Sequence, residues 1–169
     1  MEKLTLKQRM KKRILVVDDD PSVRESLKKI LEDSGYQVAV GADGEEAEAQ
    51  LDETDLLILD MNMPRRDGWD VLGRVSSRNP LLPVIVVTGM MDQLDTTIIP
   101  GVSALLKKPV EATVILKTIE TVLAEPVEER LRRTANSQET APWARINSWR
   151  NVERPATPPR PAPRLGGKL

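Results

Sequence analysis

The sequence contains no cysteine and no histidine. Without cysteine there is no disulfide framework, no thiol nucleophile and no thiolate zinc site. Without histidine there is no Ser-His-Asp triad, no imidazole metal ligand and no phosphohistidine on this chain. Long apolar runs are missing too. Nothing approaches the roughly 20 apolar residues of a membrane span, and the first apolar run, Ile14 to Val17, ends in three aspartates. The basic start, Met1 to Arg13, is not followed by the apolar stretch and small-residue cleavage site of a secretory signal. A cytoplasmic protein with no membrane span is expected. Its chemistry must run on carboxylates, lysine, hydroxyls and backbone, a set that suits magnesium and phosphate.

An excess of one charge is also lacking. The 169 residues carry 25 basic and 26 acidic groups, a net charge of −1. The whole-chain sum therefore favours neither a nucleic-acid binder nor an acidic solvating segment. The distribution is uneven: +5 over residues 1–13, −11 over 14–125 and +5 over 126–169. The length fits one domain with a tail. The expected divisions are a basic N-terminal arm over 1–11, a folded domain over 12–125 and a Pro-rich basic tail over 126–169.

Within 14–125, short apolar runs alternate with helical patterns, as in βαβ units with a parallel sheet. Five strands are predicted: Ile14–Val17, Tyr36–Val40, Leu56–Leu59, Pro83–Thr88 and Ser103–Leu106. The first, third and fourth of these are apolar at nearly every position and belong at the sheet centre, with Tyr36–Val40 nearer an edge. Val23, Leu27, Ile30 and Leu31 form the stripe of an amphipathic helix, with Asp20 as N-cap, Pro21 in the first turn and Gly35 past the end. A last helix carries Val114, Ile115, Ile119, Val122 and Leu123 on one face. Weaker helices are predicted over Asp43–Leu51 and Asp67–Ser77, and at most two turns over Met90–Ile99. After Pro126, Glu128–Arg133 can prolong the last helix or form a short separate one. Residues 126–169 hold seven of the chain's 13 prolines, five of them in Pro155–Pro163, and the rest of the tail is expected to be disordered.

In an open parallel sheet, ligands bind beyond the carboxyl ends of the strands. Here those ends carry Asp18-Asp19-Asp20, Asp60, Thr88-Gly89 and Lys107-Lys108-Pro109. Carboxylates gathered there disfavour one another's ionisation unless a cation intervenes. All-oxygen ligation points to Mg²⁺. A lysine ammonium and a threonine hydroxyl beside it suit the oxygens of a phosphoryl group. The pattern is that of a carboxylate receiving a phosphoryl group.

The runs Ile14-Leu-Val-Val-Asp-Asp-Asp-Pro21, Leu57-Ile-Leu-Asp-Met-Asn-Met-Pro64 with Asp67-Gly68, Val84-Ile-Val-Val-Thr-Gly89 and Leu106-Lys-Lys-Pro109 resemble the four marker blocks of the response-regulator receiver domain. They follow the family's order at about its spacing, over about residues 12–125. The resemblance implies an α/β fold, a flavodoxin-like doubly wound (βα)₅ with a five-stranded parallel sheet. It implies that Asp60 is the phosphoacceptor, that Asp18 and Asp19 are the metal-binding acid pair, and that Asp60 and the backbone carbonyl of Asn62 are further Mg²⁺ ligands. Thr88 would contact the phosphoryl oxygens and Lys108 would pair with them, the bond before Pro109 being cis. The implied donor is a histidine kinase or a His-phosphotransfer protein, and the implied role is a signalling switch rather than an enzyme.

Two departures stand out. The position three residues before Lys108, often an aromatic switch residue in the family, is Leu105. The stretch from Thr88 to Lys108 is about two residues shorter than usual. The resemblance also implies that Met90 and Asn62 flank the path of the attacking water, where the apolar Met90 could not orient a water, so slow hydrolysis of the phosphoaspartate is expected. In the tail, Pro155-Ala-Thr-Pro158-Pro-Arg160 fits a polyproline ligand pattern, and Trp143, Ile146 and Trp149 fit one face of a short docking helix. No helix-turn-helix pattern follows residue 126. A stand-alone receiver is therefore expected, without direct DNA binding and with output through contacts with a downstream protein. The rival reading is a receiver-fold adaptor or scaffold that works through its tail. A phosphohydrolase with an Asp nucleophile ranks below both, because Asn62 cannot act as a general acid.

Overall fold

A computed structural model of the chain describes residues 5–10, 12–63, 68–89 and 101–140. A short helix α1 (Leu6–Arg9) precedes strand β1 (Arg13–Val17), helix α2 (Pro21–Asp33) and strand β2 (Gln37–Gly41). Helix α3 (Gly44–Glu48), strand β3 (Leu56–Leu59) and helix α4 (Gly68–Arg78) follow. Strands β4 (Val84–Thr88) and β5 (Ala104–Lys107) and helices α5 (Ala112–Leu123) and α6 (Val127–Thr140) complete the order.

The five strands form one parallel sheet in the order β2-β1-β3-β4-β5. The expected central strands are central, and β2 lies at an edge. Alternation along the strands sends side chains to two faces. Leu15, Val17, Leu57, Leu59, Val84 and Val86 pack with Ala47 of α3 and Val71, Leu72 and Val75 of α4. Ile14, Val16, Leu56, Ile58, Ile85 and Val87 pack with Leu27 and Leu31 of α2 and Ile115, Ile119 and Val122 of α5. Each fully buried aliphatic side chain contributes about 1.5–3 kcal/mol relative to exposure. Two such layers explain why β1, β3 and β4 have no polar alternation.

Local chemistry sets the helix ends. The Asp20 carboxylate accepts from the Ser22 N–H at 2.8 Å, Pro21 opens the first turn, and Gly35 takes φ 90° after Ser34. Asp43 caps α3 by accepting from the Glu45 and Glu46 N–H groups. The helix predicted over Asp43–Leu51 is broken: α3 stops at Glu48 and a 3-10 turn covers Leu51–Glu53. The Gln50 N–H bonds the Ala47 carbonyl, its side-chain amide bonds the Val40 and Glu46 carbonyls, and the Thr54 hydroxyl bonds the Gln50 carbonyl. These bonds tighten the last turn and occupy carbonyls that a continuing α-helix needs.

The tail also differs from expectation at its start. Residues 127–140 form α6, a helix longer than the Glu128–Arg133 piece foreseen, and one that is tied to the sheet domain. The Arg130 guanidinium donates to the carbonyls of Leu81, Val122 and Glu125, each at 3.3 Å. Arg133 makes a two-pronged pair with the Glu125 carboxylate, at 2.9 Å for one prong, and reaches the Ser103 hydroxyl at 3.1 Å. The helix docks through arginines on carbonyls and a carboxylate, so no apolar periodicity announced it. The segment 90–100 and residues 141–169 lie outside the described residues. The predicted turns over Met90–Ile99, the disordered remainder of the tail and its Trp and Pro motifs lie there.

Candidate functional site

β1 ends at Val17, and the ladder carries one residue further. The Asp18 N–H donates to the Gly41 carbonyl and the Asp60 N–H to the Val17 carbonyl. The two acids therefore leave adjacent strands side by side. Both are buried, Asp18 at 3% exposure and Asp60 at 5%, whereas Asp19 is exposed. At the end of β5, the Lys108 N–H donates to the Thr88 carbonyl at 3.0 Å, and the Lys108-Pro109 bond is cis. From there the Lys108 ammonium reaches back over β4 to the Asp18 Oδ2 at 2.5 Å and the Asp60 Oδ2 at 3.0 Å. Lys107, next to it, ends β5 exposed.

Oxygens of Asp18, Asp19 and Asp60 lie within 4.8 Å of one another. Such a set fits a hard divalent cation that takes carboxylate oxygen and retains water. Lys108 offsets part of the negative charge. Burial works to lower its pKa, but its hydrogen bonds and attraction to Asp18 and Asp60 outweigh this and hold the ammonium above the ordinary lysine range.

Thr88 is fully buried at the end of β4. The Asn62 N–H donates to the Asp60 Oδ1 at 3.0 Å, closing a turn that brings the backbone after β3 around the Asp60 carboxylate. The structure thus gathers Asp18, Asp19, Asp60 and Lys108 by their side chains, and Asn62 and Thr88 by their backbone connections. Met90 lies outside the described residues, as do Pro64 and Asp67.

Two neighbours of the site escape sequence reasoning. Gly68 comes so close to the loop after β3 that a Cβ there would lie 2.5 Å from the Met61 Cα and 2.6 Å from the Asp60 carbonyl oxygen. Its presence in the quoted motif was visible, but not this contact. Arg24, one turn into α2, donates from Nη1 to the Asp18 carbonyl oxygen at 2.6 Å. Its place six residues after Asp18 is the only signal, and spacing alone does not tell a site-facing arginine from a solvated one.

The family model described as "Response regulator receiver domain" matches residues 14–120. The chain belongs to that family. Among curated relatives, the response regulator MprA of Mycobacterium bovis (strain BCG / Pasteur 1173P2) is 47% identical over 81 residues, covering 47% of this chain and 35% of that protein. The alkaline phosphatase synthesis transcriptional regulatory protein PhoP of Bacillus subtilis is 38% identical over 88 residues, 51% of this chain and 37% of that protein. The chain matches only about a third of the length of these relatives. Among solved structures, a CheY-like response regulator receiver domain protein from Methanospirillum hungatei JF-1 is similar with TM-score 0.61 and 30% identity, over 72% of this chain and 97% of that one. The response regulator protein TrrA from Thermotoga maritima, in complex with Mg²⁺ and BeF, is similar with TM-score 0.58 and 29% identity, over 66% of this chain and 98% of that one. The fold is the flavodoxin-like sheet expected, and this receiver domain is a signalling switch rather than an enzyme in the ordinary sense. Among the described residues no helix is long and apolar enough to cross a membrane.

Proposed function

We propose that Asp60 accepts a phosphoryl group from a histidine kinase or a His-phosphotransfer protein in a Mg²⁺-dependent reaction, and that the chain passes the signal on through protein contacts. The observation that carries this reading is the Lys108 ammonium spanning two buried carboxylates, Asp18 and Asp60, beside a third, Asp19. A purely structural ion pair would need one acid, not a cluster of three at the end of a sheet.

A carboxylate oxygen of Asp60 bonds to phosphorus while the phosphorus–nitrogen bond of the donor breaks, its electron pair staying on the donor imidazole. The product is an acyl phosphate on Asp60, and water later returns it to carboxylate and inorganic phosphate. Mg²⁺ held by Asp18, Asp19, Asp60 and the Asn62 carbonyl would supply charge neutralisation for the transferring phosphoryl oxygens. Lys108 exchanges its contact with Asp60 for one with a phosphoryl oxygen, and the Thr88 hydroxyl binds another. The phosphoryl group favours the conformation in which both contacts form. With Leu105 in place of an aromatic, that shift uses Thr88 and aliphatic repacking.

Acetyl phosphate and Mg²⁺ should add one phosphoryl group to the intact chain, detected by mass, and the Asp60→Asn chain should take none. Uptake by the Asp60→Asn chain equal to wild type would remove Asp60 from the reading.

A further inference from the structure

The turn between β1 and α2 carries two of the three clustered carboxylates, and among the bonds that hold it three engage Asp18 besides its ion pair with Lys108. The Asp18 N–H donates to the Gly41 carbonyl at 3.2 Å. The Asp18 Oδ1 accepts from the Asp20 N–H at 2.9 Å. Arg24 Nη1 donates to the Asp18 carbonyl oxygen at 2.6 Å. The first two arise from the strand ladder and from an aspartate's local habit of bonding the N–H two residues on. Of these three, only the third depends on a side chain outside the turn, and it is the one that holds the Asp18 carbonyl.

We propose that Arg24 is a positioning residue for the acid cluster: by holding the Asp18 carbonyl it sets the peptide between Asp18 and Asp19, and so how the two carboxylates meet Mg²⁺. The inference rests on the phosphoacceptor reading of the site. A peptide unit is planar, so fixing its carbonyl oxygen fixes the direction in which the chain enters the next Cα. That matters most for Asp19. Asp18 is buried and held by Lys108, but Asp19 is exposed, so packing does little to aim it and the backbone must. A guanidinium suits the task because its planar fork is preorganised and its charge strengthens the bond to a carbonyl.

Charge and geometry predict opposite outcomes when Arg24 is removed. If the guanidinium mattered only as a cation near the site, its loss would relieve repulsion and strengthen Mg²⁺ binding. If it positions the acid pair, its loss weakens binding, because partners one shell out from metal ligands typically matter by about 10–100-fold.

The test is calorimetric titration of Mg²⁺ into the full chain for wild type, Arg24→Met and Arg24→Lys, with urea unfolding of each alongside. The expected result is a dissociation constant about tenfold higher for Arg24→Met, the low end for such partners, and a smaller rise for Arg24→Lys, which keeps a donor but not the fork. The Mg²⁺ concentration that half-saturates acetyl phosphate uptake should rise in the same order. Unchanged or tighter binding by Arg24→Met overturns the proposal. Should Arg24→Met fail to fold, Arg24→Lys decides alone: weaker binding supports the role and unchanged binding overturns it. A wild-type chain that binds no Mg²⁺ overturns the phosphoacceptor reading together with this one. A wild type that binds Mg²⁺ and takes the phosphoryl group, with variants equal to it, overturns only the role of Arg24.

Discussion

The contact on which the site turns is a single ammonium shared by two buried acids. Lys108 lies 2.5 Å from Asp18 and 3.0 Å from Asp60, so it occupies part of the charge-balancing role that a cation would take. Lys108→Met should therefore raise Mg²⁺ affinity while lowering the yield of phosphorylated Asp60, read by calorimetry and by mass. The same pairing fixes a sign for pH. The Lys108 pKa is raised above the ordinary lysine value, so the stability it contributes is complete below that value and fades as pH rises through the raised one. The gap in unfolding free energy between wild type and Lys108→Met should stay flat from about pH 6 to about 9, and close only in more alkaline solution. Asp18, Asp60 and Lys108 were legible in the sequence for a simple reason: each is a charged residue at the end of an apolar strand, where the core cannot hold it. Arg24 and the close approach of Gly68 were not legible. Both depend on a loop or helix folding back onto a strand end, and no local periodicity encodes that.

Helix α4 offers a test with opposite outcomes at two glycines. At Gly68 a Cβ would strike backbone, at 2.5 Å from the Met61 Cα and 2.6 Å from the Asp60 oxygen. Gly68→Ala should destabilise the domain by about 1–3 kcal/mol, as overpacking does, and should slow phosphoryl uptake by shifting the loop that carries Asp60. At Gly73, inside the same helix, a Cβ meets nothing within 4 Å. Gly73→Ala should stabilise by about 0.5–1 kcal/mol through helix propensity alone. Urea unfolding of the two variants checks both signs, and equal effects would show that the close contact does not matter. For α6 the expected support is polar. A double-mutant cycle between Glu125 and Arg133 should give about 1 kcal/mol of coupling, the upper range for partly exposed pairs. The element boundaries that sequence reasoning located best were those with a chemical marker, Asp20-Pro21 and Gly35 for α2. It located α3 and α6 poorly, because side-chain bonds to carbonyls ended one early and docked the other.

Across the whole molecule the parallel sheet separates two poles. Asp60, Thr88 and Lys108 leave the carboxyl ends of β3, β4 and β5. α6 is bonded to Leu81 and Ser103, which lead into the opposite ends of β4 and β5. A chain cut after Thr140 should therefore take up phosphoryl from acetyl phosphate at a rate within about twofold of the full chain, as expected for distant, uncoupled sites, whereas a cut after Glu125 should cost stability through loss of the arginine contacts. By itself the sequence determined the strand order of burial, the amphipathic helices and the acid-and-lysine chemistry at the strand ends, since hydrophobic pattern and charged strand ends are local facts. It also carried the family. Only the tertiary structure decided that three carboxylates lie within 4.8 Å of one another, that one lysine spans two of them, and that α6 belongs with the sheet. Each of these depends on distances between residues far apart in the chain, which the packing of the two helix layers sets and no single stretch of sequence contains.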